Sequence, residues 1–176
     1  MDVASLTADD LIGLIYDEVS ARHAPWRNAL GALRDAVGAQ TLVLQMSPDR
    51  QPEQTFFVAA GVRTAPSHIA EWEKRSPDQQ IHLSLRPGRV ITCNDYLEQR
   101  PRDGFLELIR RYDVARGMSA RVADFNHAEY SLHALRPGRD EPFGAGEEAV
   151  FAQILPHLAR AIRLRTELAG ARSESD

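Results

Sequence analysis

Apolar residues recur along this chain with two periods, and the switches between them mark its elements. Leu11, Leu14, Ile15 and Val19 share one face of a helix. Thr7 stands at the N-cap of that helix, Asp10 three residues on completes a capping box, and Leu6 and Leu11 are placed as a hydrophobic staple. After Pro25, a second stripe of Trp26, Leu30, Leu33 and Val37 predicts another helix, with Gly38 as its stop. The period then shortens. Residues 41–46 (TLVLQM) and 56–60 (FFVAA), separated by polar residues, read as strand, turn and strand.

Residues 67–75, with Ile69 and Trp72, predict a short helix closed by Ser76-Pro77, and residues 89–93 (RVITC) after Pro87-Gly88 predict a third strand. Phe105, Leu108, Ile109 and Tyr112 mark a further amphipathic helix. Residues 117–125 and 129–135 form a hairpin around Asn126 and His127. Met118, Ala120 and Val122 alternate on one strand, and Tyr130, Leu132 and Ala134 on the other. The last long pattern, EEAVFAQILPHLARAIRLRTELAG, repeats Phe151, Leu155, Leu158 and Ile162 at spacings of four, three and four, the seam of a helix that packs on another helix. Pro156 lies inside it and predicts a kink, because it removes a donor and crowds the carbonyl of Ala152.

Hairpins at both ends of the strand series forbid an all-parallel sheet. The expected class is α+β, a mainly antiparallel sheet of about five strands flanked by helices, with the N- and C-terminal helices packed together. One domain over residues 1–170 and a disordered polar tail over 171–176 complete the expectation. A domain ending on a long amphipathic helix reads as a regulatory module whose output is missing or supplied by another molecule.

Composition narrows the function. The 176 residues suffice for one core, and 43% hydrophobic and 26% charged residues are ordinary globular values. A net charge of -4 argues against nucleic-acid binding by this chain alone. No apolar run approaches 18 residues, which argues against a membrane span. The lone Cys93 permits no internal disulfide and fits a reducing cytoplasm.

The order of elements and several phrases resemble the N-terminal sensory domain of LuxR-type helix-turn-helix transcription regulators, which has a GAF/PAS-like fold. These phrases are LIGLIYDEVS, SPDQQ (76–80), RPGRVITCNDYL (86–97) and PFGAGEEAVFAQILPHLARAIRLRTEL (142–168), and the likeness runs from about Leu11 to Leu168. It implies a sensory or regulatory domain that binds a small molecule and forms a homodimer through its terminal helices. The DNA-binding domain that follows in the family is absent from these residues. Some relatives sense acyl-homoserine lactones through aromatic residues and an aspartate. Trp72 and Asp78 resemble that arrangement, with Ser76 where the pattern has a tyrosine.

Candidate chemistry is sparse. The six histidines show no HxH, HExxH or CxxC company, so no metal set is expected, and no GxSxG elbow marks a nucleophile. No catalytic residue is assigned, and the nature of any cofactor stays open. Cys93 reads as an inert, half-buried cysteine rather than a redox sensor or haem ligand. Glu147 and Glu148 oppose the positive end of the last helix, and Arg160, Arg163 and Arg165 its negative end. Trp72, Phe57, Tyr112 and Met118 are large side chains on elements expected to face one another. They read either as plain core or as the lining of a small-molecule cavity, with His133 as a further ligand-binding candidate. The rival readings are a ligand-free interaction and dimerisation module and a small enzyme of unknown reaction.

Overall fold

The computed structural model describes residues 6–21, 25–49, 55–61, 85–92, 111 and 113–173. The expected helix at 67–75, most of the helix around Phe105, Trp72, Tyr112 and Cys93 lie outside those residues.

Helix α1 (Ala8–Asp17) starts at Thr7, whose side chain accepts the Asp10 N–H while the Asp10 carboxylate accepts the Thr7 N–H. The capping box is the one the sequence predicts. Leu6, just outside the helix, stays 45% exposed. Helix α2 (Arg27–Ala36) carries Ala29, Leu30 and Leu33 inward. It ends at Gly38, whose φ of +58° places it in the left-handed region. A Cβ there would also lie 3.1 Å from an Arg136 guanidinium nitrogen, so conformation and space both call for glycine.

Five strands follow: β1 (Thr41–Pro48), β2 (Phe56–Gly61), β3 (Val90–Thr92), β4 (Arg116–Phe125) and β5 (Ala128–Arg136). They form one sheet in the order β2-β1-β5-β4-β3, and every neighbouring pair is antiparallel. The β4–β5 turn holds Asn126 and His127, both at positive φ (51° and 57°), as a two-residue hairpin turn with native twist requires. A bulge between Arg121 and Ala123 shifts the register of this hairpin by one residue.

Helix α3 (Ala145–Ser173) closes the described chain. It passes through Pro156 without ending and runs to Ser173. Phe151, Leu155, Leu158 and Ile162 are all buried. Their seam lies against this domain's own sheet and against α1, the packing on another helix that its spacing predicts.

Of the three helices among the described residues, α2 and α3 cover one face of the sheet and α1 packs on both of them. Leu42, Leu44, Met118, Ala120, Leu132 and Ala134 meet α2 and α3 there. Side chains, not backbone alone, tie the layers. Arg136, buried at the end of β5, donates to the carbonyls of Val37, Gly38 and Glu141 and to the Glu147 carboxylate, and stacks 4.0 Å above the Phe143 ring. Arg165 on α3 donates to the carbonyls of Glu18, Val19 and Ala21, where α1 runs out. Tyr16 and His157 meet edge to face, with the phenol 3.3 Å from Nδ1. The terminal helices therefore pack together, as expected.

Candidate functional site

Strand periodicity sends the remaining side chains to the second face of the sheet. Register defines two neighbouring rows there. One row runs Ala59, Val43, His133, Ser119, Ile91, and the next runs Phe57, Gln45, Ser131, Arg121. No described helix covers this face, yet Val43, Gln45, Ser119, Ser131, Glu129 and Leu135 on it are buried. Two buried faces with opposite chemistry distinguish this sheet: aliphatic under the helices, polar on the other side.

His133 is the centre of the polar face, on the middle strand. Its Nδ1 lies 2.9 Å from Ser119 Oγ and its Nε2 lies 3.1 Å from Ser131 Oγ. Ser119 faces it across the β4–β5 ladder, and Ser131 is two residues back on the same strand. Both ring nitrogens thus point at hydroxyls. A serine in the third place brings no negative charge to an imidazolium, so this row is not built like a triad that activates a nucleophile. Among the described residues no group of three or more His, Cys, Asp or Glu side chains could hold a metal ion.

Next to this row, Gln45 Nε2 donates to Ser47 Oγ at 2.8 Å, and Thr55 Oγ1 approaches the same oxygen at 3.4 Å. Among the described residues of these rows, charge gathers at one end. Arg121 pairs with Asp124 at 2.7 Å and Glu129 at 3.2 Å, and donates to the Leu85 carbonyl. Burial pushes the Glu129 carboxyl above its ordinary range, against the pull of Arg121. The Arg121 carbonyl accepts the Gly88 N–H at 2.8 Å, so this residue holds the segment that enters β3 to the sheet.

The expected site residues divide across the sheet. Phe57 and His133 share the polar face, Phe57 on β2 and His133 in the centre. Met118 is fully buried on the opposite face, paired with Ala134 and inside the helix-covered core. Because successive strand residues point to opposite sides, Phe57 and His133 lie on one face of the sheet and Met118 on the other. Trp72 and Tyr112 lie outside the described residues. Sequence reasoning passed over Ser119, Ser131, Gln45 and Arg121. The signal was the alternation itself: Gly117, Ser119 and Arg121 interleave with Met118 and Ala120, as Ser131 and His133 do with Tyr130, Leu132 and Ala134.

Neither a family model nor a curated protein sequence matches the chain. Solved structures do match it. The GAF domain of a phosphoenolpyruvate-protein phosphotransferase from Coxiella burnetii superposes with a TM-score of 0.61 at 16% identity, covering 98% of each chain. The phycoerythrobilin-bound GAF domain of a cyanobacterial phytochrome gives 0.63 at 12% identity, over 94% of this chain and 99% of the other. The N-acylhomoserine lactone dependent LuxR-family transcription factor CepR2 from Burkholderia cenocepacia gives 0.60 at 16% identity, over 92% and 98%. With its antiparallel five-stranded sheet and helices on one face, the chain has the GAF/PAS-like fold.

Proposed function

We propose that this chain is a sensory domain that binds a small molecule on the polar face of its sheet and passes the binding event to α1 and α3. The observation that carries the reading is the two-faced sheet. A domain that needed only a core would gain by making both buried faces apolar, since buried polar side chains are tolerated only when hydrogen-bonded. Here the central strand places Ser131 and His133 on one side and Leu132 and Ala134, which meet the helices, on the other. Relatives in fold support the reading, among them a bilin-bound GAF domain and an acyl-homoserine lactone dependent regulator.

The finer proposal is a LuxR-type regulator's sensory domain, working in the cytoplasm as a homodimer through its terminal helices and acting on a helix-turn-helix output outside these residues. A ligand that fits one arrangement of the helices better than another shifts the population toward it. No helix among the described residues is long and apolar enough to cross a membrane. On α3, Leu164 and Leu168, 36% and 43% exposed and one turn apart, offer apolar surface to a second copy.

The test is native mass spectrometry of the protein released under mild conditions from its own host, with thermal melts before and after removal of small molecules. A stoichiometric bound mass whose removal lowers the Tm supports the reading, since a ligand stabilises by RT ln(1 + [L]/Kd). Protein that carries no such mass, with an unchanged Tm, leaves the ligand-free interaction module in its place.

A further inference from the structure

Two charged side chains meet at the end of α1, and one residue belongs to both contacts. Arg165 on α3 sends a single guanidinium nitrogen to the carbonyls of Glu18, Val19 and Ala21, at 3.0, 3.2 and 2.7 Å. These carbonyls lie at or just past the C-terminus of α1, where the helix dipole favours a cation. The buried Glu18 side chain serves α2 instead. Its carboxylate accepts the N–H groups of Trp26, Asn28 and Ala29, where the dipole of α2 favours an anion. Glu18 is thus tied to α3 through its backbone and to α2 through its side chain.

The cap supports a strained residue. Trp26 opens α2 at φ +70°, a conformation that a bulky L-residue occupies only under constraint. Its side chain is buried in the core, and its N–H is held by Glu18. The first turn of α2 therefore has two arrangements. In one it is capped and Trp26 is left-handed; in the other the cap is open and Trp26 relaxes to negative φ. Such an element responds to whatever displaces its cap. The part of α3 that carries Arg165 is also fixed to the sheet, since Arg163 stacks 5.0 Å above the ring of Phe125 at the end of β4. α3 packs on β3 and β4, and α2 on β1 and β2, so the contact joins helices over opposite ends of the sheet.

We propose that Arg165, Glu18 and Trp26 form a latch that makes the first turn of α2 answer to the position of α3. While Arg165 holds the end of α1, Glu18 is placed to cap α2 and Trp26 keeps its strained backbone. A shift of α3 that withdraws Arg165 frees three carbonyls at once, lets residues 18–21 move and opens the cap. The coupling is reciprocal, so a change that opens α2 also loosens the hold on Arg165. The latch goes beyond the sensory reading and operates with or without a molecule on the polar face.

The experiment is amide hydrogen exchange by NMR on the full chain and on Arg165→Met, with Arg160→Met as a control at an exposed position of the same helix. Arg165→Met should speed exchange at Trp26, Asn28 and Ala29 by about tenfold or more, the worth of one hydrogen bond to a charged group. Leu33, later in α2, should change little, and Arg160→Met should match the parent at all four. No rise, a rise shared equally by Leu33, or one reproduced by Arg160→Met overturns the latch. Should Arg165→Met fail to fold, the parent chain decides. The Val19 and Ala21 amides at the end of α1 and the three capped amides of α2 should then open as one unit, with a common response to added denaturant. Separate opening of the two groups overturns the proposal. These outcomes need no ligand, so their failure leaves the sensory reading standing, and protein recovered without a bound molecule leaves the latch standing.

Discussion

The carboxylate of Glu18, the residue that ends α1, accepts the backbone N–H of Trp26 at 3.0 Å and so caps the helix that Trp26 begins. Its other oxygen takes the N–H of Asn28 at 3.0 Å and of Ala29 at 3.4 Å. Trp26 itself supplies no side-chain cap and sits at φ +70°, a conformation that costs a bulky residue energy. A buried acid from the preceding helix stands in for the missing serine or aspartate. Glu18→Ala should therefore destabilise the domain by about 2–3 kcal/mol in urea unfolding, more than an ordinary cap, because it orphans buried donors. Glu18→Gln should cost less, since it keeps one acceptor oxygen. Equal stability of all three proteins would show that water replaces the cap.

Glu147 gives the domain a pH dependence of known sign. Burial alone would raise its carboxyl, but the hydrogen bond from Arg136, backbone hydrogen bonds including that from Gly144, and the Arg136 charge outweigh it and hold it below the ordinary value of 4.5. A depressed folded value means stability that is present above the unfolded value and lost as pH falls through the folded one. Glu147→Gln should cost about 1–2 kcal/mol near neutrality, and its stability curve should meet that of the parent in acid. Thermal melts across that range check this, and a constant gap at every pH would contradict it.

The seam of α3 and its outer leucines should behave oppositely. Leu158→Asp with Ile162→Asp places two carboxylates in a closed core and should unfold the chain, seen as lost circular dichroism. Leu164→Asp with Leu168→Asp changes exposed positions and should leave stability within about 0.5 kcal/mol. If the chain self-associates through α3, the outer pair should shift sedimentation toward monomer. A dimer untouched by the outer pair would place the contact elsewhere.

Met118→Ala should cost about 2–4 kcal/mol, as expected for a fully buried side chain. Phe57→Ala, at a half-buried position on the edge strand, should cost distinctly less. Denaturant titration of the two variants checks the order, and reversal would show that the polar face carries more of the packing.

Local signals made much of the fold legible. Thr7 and Asp10 announced a capping box that forms, because both partners lie within one turn. Asn126 and His127 announced a turn that forms, because only a few residue types accept its geometry. Relationships across the chain were not legible. Glu18 reads as a surface acid at a helix end, and nothing local shows that Trp26 will need it. The candidate site was hidden by a single residue. An unbroken ladder from Phe125 opposite Ala128 would set Ser119 across from Ala134; the bulge between Arg121 and Ala123 sets it across from His133 instead.

The central strand also governs which changes in length the gene can accept. Every residue step along β5 crosses from one buried face to the other, so a single inserted or deleted codon there would send Leu132 and Ala134 toward the polar side and His133 into the helices. Neither side has open solvent to receive the wrong residue. β4 already carries one extra residue, at Val122, near the end where the charged trio of Arg121, Asp124 and Glu129 begins. Length variation among descendants of this chain should therefore be excluded from β5 and from β4 on the Ser119 side of that bulge, while point substitutions on the polar face remain free to retune what it holds.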